Sequence, residues 1–296
     1  NFTTAVMCNP PTNIQVVTTT NTIFVSWEPG QANQTSWTVY IGAGEEWDYP
    51  TDTTEILIDV HNMLVPGEEF NVQIEGFCSD GDGDILSEFI YAQMQPLPSL
   101  TLNEGYSQDN GIVPITSQSL EDKESRTQFI IPAEMLTDMQ YSTIQKIAFY
   151  DDYWRNGAPW GSNIWFKVCM MEVPESNYND AEYPEDQFYG YWHDENFHVF
   201  NHGTLYIDNE GKVTITANSP FHYGAGNLLI GVWQDHSNYD PAGTNYHADW
   251  LGVTTQDWSS MYVPAGSDPM TAKFLPKVTF TYETDAYLPP TNIVVT

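Results

Sequence analysis

Over the first hundred residues apolar and polar side chains alternate in short runs, each closed by turn-forming Gly, Pro, Asn or Asp. A strand sends successive side chains to opposite faces, so a period of two suits a half-buried antiparallel sheet and cannot give a helix an apolar stripe. The runs at 14–16, 23–27, 37–41, 55–58, 70–74 and 87–94 are the candidate strands. Six strands within about ninety residues predict a sandwich. Pro96 and Pro98 then interrupt any ladder, because proline has no N–H to donate, and the domain boundary is placed at 97/98. Beyond it, strands are expected at 127–131, 144–151, 163–173, 198–207, 212–217, 228–234 and 277–282, with one helical turn at 132–139. That pattern predicts an all-β chain whose second sandwich is the larger.

The chain also repeats itself. Residues 9–16 read N-P-P-T-N-I-Q-V and residues 288–295 read L-P-P-T-N-I-V-V, which sets Pro10 and Pro289 in register at a period of 289 − 10 = 279 residues. Phe2-Thr3-Thr4 similarly echoes Phe280-Thr281-Tyr282. One unit of a tandem array is expected, with 1–9 ending a preceding module and 289–296 starting the next.

Pro10 and Pro11 before the first strand, Trp27 in the second, Tyr40 in the third and the run L-V-P-G-E-E-F-N-V-Q-I at 64–74 resemble a fibronectin type III domain over 10–97. The family's pattern has a tyrosine where Phe70 stands, so this corner lacks the hydroxyl that would tie it to upstream backbone and is expected to be held by packing. In that topology Cys8 and Cys78 share one pole, which makes them a candidate disulfide. Cys169, inside an apolar strand, reads as a small buried residue. Over 98–288, I-Q-K-I-A-F-Y at 144–150, G-T-L at 203–205, S-P-F-H-Y at 219–223 and N-L-L-I-G-V-W at 227–233 resemble the jelly-roll modules that accompany fibronectin-like domains in large secreted bacterial proteins.

Forty Asp and Glu against eight Lys and Arg give a net charge of −32, which repels nucleic acid and anionic membrane surfaces. No apolar run reaches the ~18 residues of a membrane-spanning helix, so membrane insertion is not expected. The usual catalytic spacings are missing: there is no G-x-S-x-G elbow, phosphate loop or H-E-x-x-H helix, and Gly224-Ala225-Gly226 lacks the third glycine of a dinucleotide fingerprint. An enzyme is not expected.

Asp80, Asp82 and Asp84 place three carboxylates in five residues, a spacing that supplies hard oxygen ligands for calcium and equally the Asp-Gly chemistry of a hairpin turn. Asp151, Asp152 and Asp235 lie at strand ends of the larger sandwich and form a second candidate calcium set. Histidines 193, 198, 202, 222, 236 and 247 cluster in the second domain without a ligand spacing and read as structural or surface groups. Trp27, Phe149, Phe166 and Trp233 sit in strand patterns and are expected between sheets. Trp154, Trp160, Tyr239 and Trp250 lie in polar, Asn- and Gly-rich stretches, where flat rings beside carboxamides can stack on sugars. The resemblances imply a secreted or cell-surface, non-catalytic repeat module acting in adhesion and surface presentation. Its partners would be a glycan or protein surface ligand and neighbouring repeats of the same chain. A carbohydrate-binding ancillary module of a secreted hydrolase and a structural subunit of a surface filament are the alternatives.

Overall fold

The structure, a computed structural model, describes residues 8–78, 85–109, 113–115, 125–152, 165–178, 197–235, 249–263 and 268–284. It divides into two compact units, Asn1–Leu97 and Pro98–Thr296. Among the described residues no helix is long and apolar enough to cross a membrane.

The first unit begins with β1 (Thr12–Thr18), β2 (Thr22–Glu28), β3 (Gln34–Gly42) and β4 (Glu46–Thr51). It continues through β5 (Glu55–Asp59), β6 (Glu69–Cys78), β7 (Ile85–Leu86) and β8 (Ile90–Gln93). One sheet has the order β1-β2-β5, the other β4-β3-β6, with β7 and β8 both pairing the free side of β6. All pairs are antiparallel, and with β7 and β8 sharing one position beside β6 the order is the three-against-four of a fibronectin type III sandwich. Alternate residues of β2, β3 and β6 turn inward: Ile23, Val25, Trp27, Val39, Ile41, Val72 and Ile74 are all buried. Trp27 and Trp37 meet edge to face at 5.9 Å. Phe70 is buried in the same core, so packing occupies the corner where the family pattern has a tyrosine.

Two local departures from the expected strands have clear causes. β4 contains Pro50, which argues against a strand, but β4 is an edge and its outer side needs no N–H. The expected run 87–94 is split because Ser87 leaves the ladder: its Oγ accepts the Ile74 N–H at 2.9 Å while its own N–H donates to the Ile74 carbonyl at 2.8 Å.

Cys8 and Cys78 form a disulfide across a sequence separation of 70. Gln34 packs beside it, donating from Nε2 to the Asn9 carbonyl at 2.7 Å and accepting the Gly30 N–H at 2.7 Å. A Cβ on Gly30 would stand 2.3 Å from the Asn9 oxygen, so only glycine fits there. Cys8 and Asn9 are therefore part of this sandwich rather than the tail of a preceding module, while residues 1–7 and 289–296 lie outside the described residues.

The second unit opens with β9 (Ser99–Leu102), β10 (Ser107–Asp109), β11 (Arg126–Ile131), β12 (Ser142–Tyr150), β13 (Trp165–Val173) and β14 (His198–Gly203). β15 (Lys212–Tyr223), β16 (Asn227–Asp235), β17 (Trp250–Thr254) and β18 (Ser260–Val263) follow. β19 (Met270–Ala272), β20 (Phe274–Pro276) and β21 (Val278–Thr284) complete it. The sheets read β15-β12-β21-β9 and β14-β13-β16-β11-β18-β19, with a small sheet β10-β17-β20. Counting β9, β11, β12, β13, β14, β15, β16 and β21 as strands one to eight, the two main sheets run 6-3-8-1 and 5-4-7-2. That is jelly-roll connectivity, with β17–β20 inserted before the last strand.

Phe129, Phe149, Phe166, Val168, Phe200, Ile215, Ile230 and Phe280 are among the residues that fill the space between the sheets. The expected helical turn is a pair of 3-10 turns, Ala133–Met135 and Thr137–Met139. β14 stops at Gly203, short of 207, whereas β15 runs on to Tyr223. Its register against β12 breaks between Thr216 and Phe221, which lets Pro220 leave the ladder.

Candidate functional site

Trp154, Trp160 and Tyr239 lie outside the described residues, as do Asp80, Asp82, Asp84 and the side chain of Asp235. Trp250, expected as an exposed ring, is instead wholly buried, and its Nε1–H donates to the Ile115 carbonyl at 2.9 Å. It opens β17, whose pairing with β10 and β20 turns alternate residues into the core, so it is not a surface contact. Asp151 is a clamp: its Oδ1 accepts the Asp249 N–H at 2.8 Å, and Asp152 N–H donates to the Asp249 carbonyl at 2.8 Å, which ties the end of β12 to the start of β17. Among the described residues no three acidic, His or Cys side chains gather in a metal-binding group. His198 and His202 each lie against a ring, Phe221 and Trp165 respectively. Cys169 is buried, and burial pushes its thiol up to about 12, which leaves an inert group rather than a nucleophile.

Among the described residues, cations and aromatic rings concentrate on the outer face of the six-stranded sheet. Register places His202, Lys167, Trp233, Arg126 and Val263 at one level on β14, β13, β16, β11 and β18. Directly paired residues share a face, so these five side chains form a row of roughly 19 Å at the usual strand spacing of about 4.8 Å. Their neighbours Phe166, Val168, Thr127 and Val232 are the buried, core-facing set. Trp233 is thus not between the sheets as expected. It lies half-buried on the outer face with Arg126 Cζ 4.4 Å from its ring centroid and Lys167 Nζ at 4.8 Å, one cation contributed by each flanking strand. Trp165, two residues before Lys167 on the same face, is 41% exposed, and its ring meets that of His202 edge-on at 5.2 Å.

The charge distribution makes this row distinctive. All eight Lys and Arg belong to the second unit; the first ninety-seven residues contain none. Of the six described cations, five lie over aromatic rings: Arg126 and Lys167 over Trp233, Lys212 and Lys277 over Tyr150, and Lys273 over Trp258. Lys277 also reaches Glu104 at 3.7 Å. Among the described residues neither Arg126 nor Lys167 has a carboxylate within ion-pair distance. Reading the sequence missed Trp165, Lys167 and Arg126. The available signal was the spacing W-x-K in β13 set against W-x-D in β16, which the pairing Lys167↔Trp233 brings together.

A cleft of about 540 Å³ opens elsewhere on this unit, lined by Glu134, Asn177, Asn227, Gln256, Asp257 and Ser259 among others. Asn227 is occupied there, accepting the Ala133 N–H and donating to the Pro174 carbonyl, both at 2.9 Å.

No family model and no curated protein matches the chain. Solved structures do. The fifth fibronectin domain of Drosophila Lar aligns at 18% identity over 30% of this chain and 98% of its own, with a TM-score of 0.25. A fibronectin domain of human collagen alpha-1(XX) aligns at 21% over 32% and 93%, TM-score 0.27. A SusE-like protein aligns at 11% over 92% and 96%, TM-score 0.25. The chain joins a fibronectin type III-like sandwich to a jelly-roll sandwich. The strand orders described above carry that assignment.

Proposed function

We propose that this chain is a non-catalytic, glycan-binding module of a secreted or cell-surface protein acting in adhesion, in which the jelly roll makes the contact and the fibronectin-like sandwich presents it. The observation that carries the reading is Trp165, a large ring held exposed on a strand, braced by His202 and set beside the donors of Lys167. An indole fixed on a sheet offers a flat apolar face to a sugar ring at small entropic cost, and the polar groups around it can serve the hydroxyls. The Cys8–Cys78 disulfide suits an oxidising compartment, which supports export. The P-P-T-N-I repeat at both ends supports tandem copies as neighbours.

The test is a polysaccharide binding screen with the intact chain and the Trp165→Ala variant. Trp165 lies outside the core, so the variant is expected to melt with the wild type and to lose roughly tenfold or more in affinity. Equal binding by both proteins would move the contact off this face, and no binding by the wild type would refute the glycan reading.

A further inference from the structure

Resting on that glycan reading, the structure assigns the Arg126–Trp233–Lys167 row to an anionic saccharide, whose carboxylate or sulfate is held by the two cations beside the Trp165 platform. In a chain with five carboxylates for every cation, a lysine or arginine finds an acidic partner easily. Arg126 and Lys167 find none among the described residues, although they stand on strands immediately either side of β16. Stacking over Trp233 holds both in place without discharging them. A guanidinium that lies over a ring uses its flat face and keeps its in-plane N–H groups for bidentate contact with a carboxylate or sulfate, and an ammonium over the same ring keeps donors for a second oxygen.

The net charge opposes a polyanion, but salt screens that opposition with distance. The screening length is about 8 Å at physiological salt. Within that distance the ligand meets the two cations of the row. Trp233, covered by Arg126 and Lys167, cannot itself stack on a sugar; Trp165 can, and it is one level away on the same strand as Lys167. The row thus supplies charge recognition next to a stacking surface.

Titration calorimetry of the intact chain with an oligouronate, a sulfated dextran and neutral dextran separates the sources of charge and tests the assignment. The wild type is expected to bind at least one acidic ligand and to lose roughly tenfold or more in the double variant Arg126→Gln/Lys167→Gln. The double variant Lys146→Gln/Lys212→Gln changes net charge identically on the other sheet and is expected to stay within about twofold of wild type. Should the first double variant fail to fold, Arg126→Lys keeps charge and ring contact but loses the planar fork, and is expected to weaken binding of the acidic ligand. Binding of neutral dextran alone would overturn the anionic assignment while leaving the glycan reading standing. No binding of any glycan in the wider screen would overturn both. Equal losses in the two double variants, or no loss in Arg126→Lys when it is the variant used, would overturn the role of the row.

Discussion

The fibronectin-like sandwich carries fourteen of the forty carboxylates and no lysine or arginine, whereas the jelly roll carries all eight cations. Without cations, the first sandwich uses its acids as hydrogen-bond acceptors. Glu75 accepts the Tyr40 hydroxyl at 2.6 Å, Glu68 the Val65 N–H at 2.8 Å, and Glu28 the Asn13 amide at 2.7 Å. Its closure is covalent, through Cys8 and Cys78. The jelly roll has a larger core and places five of its six described cations over rings, while Glu172 accepts three successive backbone N–H groups from Gly224, Ala225 and Gly226 at 2.6, 3.1 and 2.6 Å. The contrast teaches that, among the described residues, the carboxylates named here are met by backbone, amide and hydroxyl donors, while five of the six cations lie over rings.

Removing the disulfide gives the largest effect by which the contrast can be broken. Cys8→Ser, or reduction, is expected to lower the stability of the first sandwich by about 4 kcal/mol on chain-entropy grounds and to leave the jelly-roll transition in place. Scanning calorimetry with and without reductant checks this, and a common shift of both transitions would show that the two units do not melt separately. Glu172→Ala strands three N–H groups at the β15–β16 turn and is expected to cost the jelly roll about 3 kcal/mol, with Glu172→Gln in between. Only the second transition should move.

The smallest effect is alkaline. The hydrogen bond to Glu75, with burial, pushes Tyr40 up to about 12 in the first sandwich, and burial next to Glu172 pushes Tyr223 up to about 12 in the second. Between pH 10 and 12 the folded state therefore holds more protons than the unfolded one, so stability should fall as pH rises through that window. Tyr40→Phe should flatten the slope of the first transition alone, and Tyr223→Phe that of the second, as read by denaturant titration across that range.

Much of this architecture was legible because one face of each strand is apolar and the other is not. In β2 and β6 the buried residues alternate without exception from Ile23 to Trp27 and from Phe70 to Ile74, and those strands were read correctly. β16 defeats the same logic. Leu228, Leu229, Ile230 and Val232 are all buried, because the outer face of this part of the sheet is itself covered by a second apolar cluster that includes Ile130, Tyr178 and Met261. A strand apolar on both sides does not announce which face Trp233 takes; only its register against Lys167 and Arg126 does. Trp250 was misread for another reason. It follows a polar run that reads as loop, and the short strands β17 to β20 exist because tertiary partners recruit them. The Glu172 cradle joins residues more than fifty positions apart, a distance over which no local pattern speaks.

The position of β21 has a consequence for how the protein is made. It lies between β12 and β9 in its sheet, yet it is the last of the described strands. During synthesis the fibronectin-like sandwich can close early, while the jelly roll waits with an open slot until residue 284 is free to enter it. Its folding is then a late, long-range event with a high loop-closure cost. Until that moment β9 and β12 present unpaired backbone to one another's missing neighbour, a template that a strand from another nascent copy could fill.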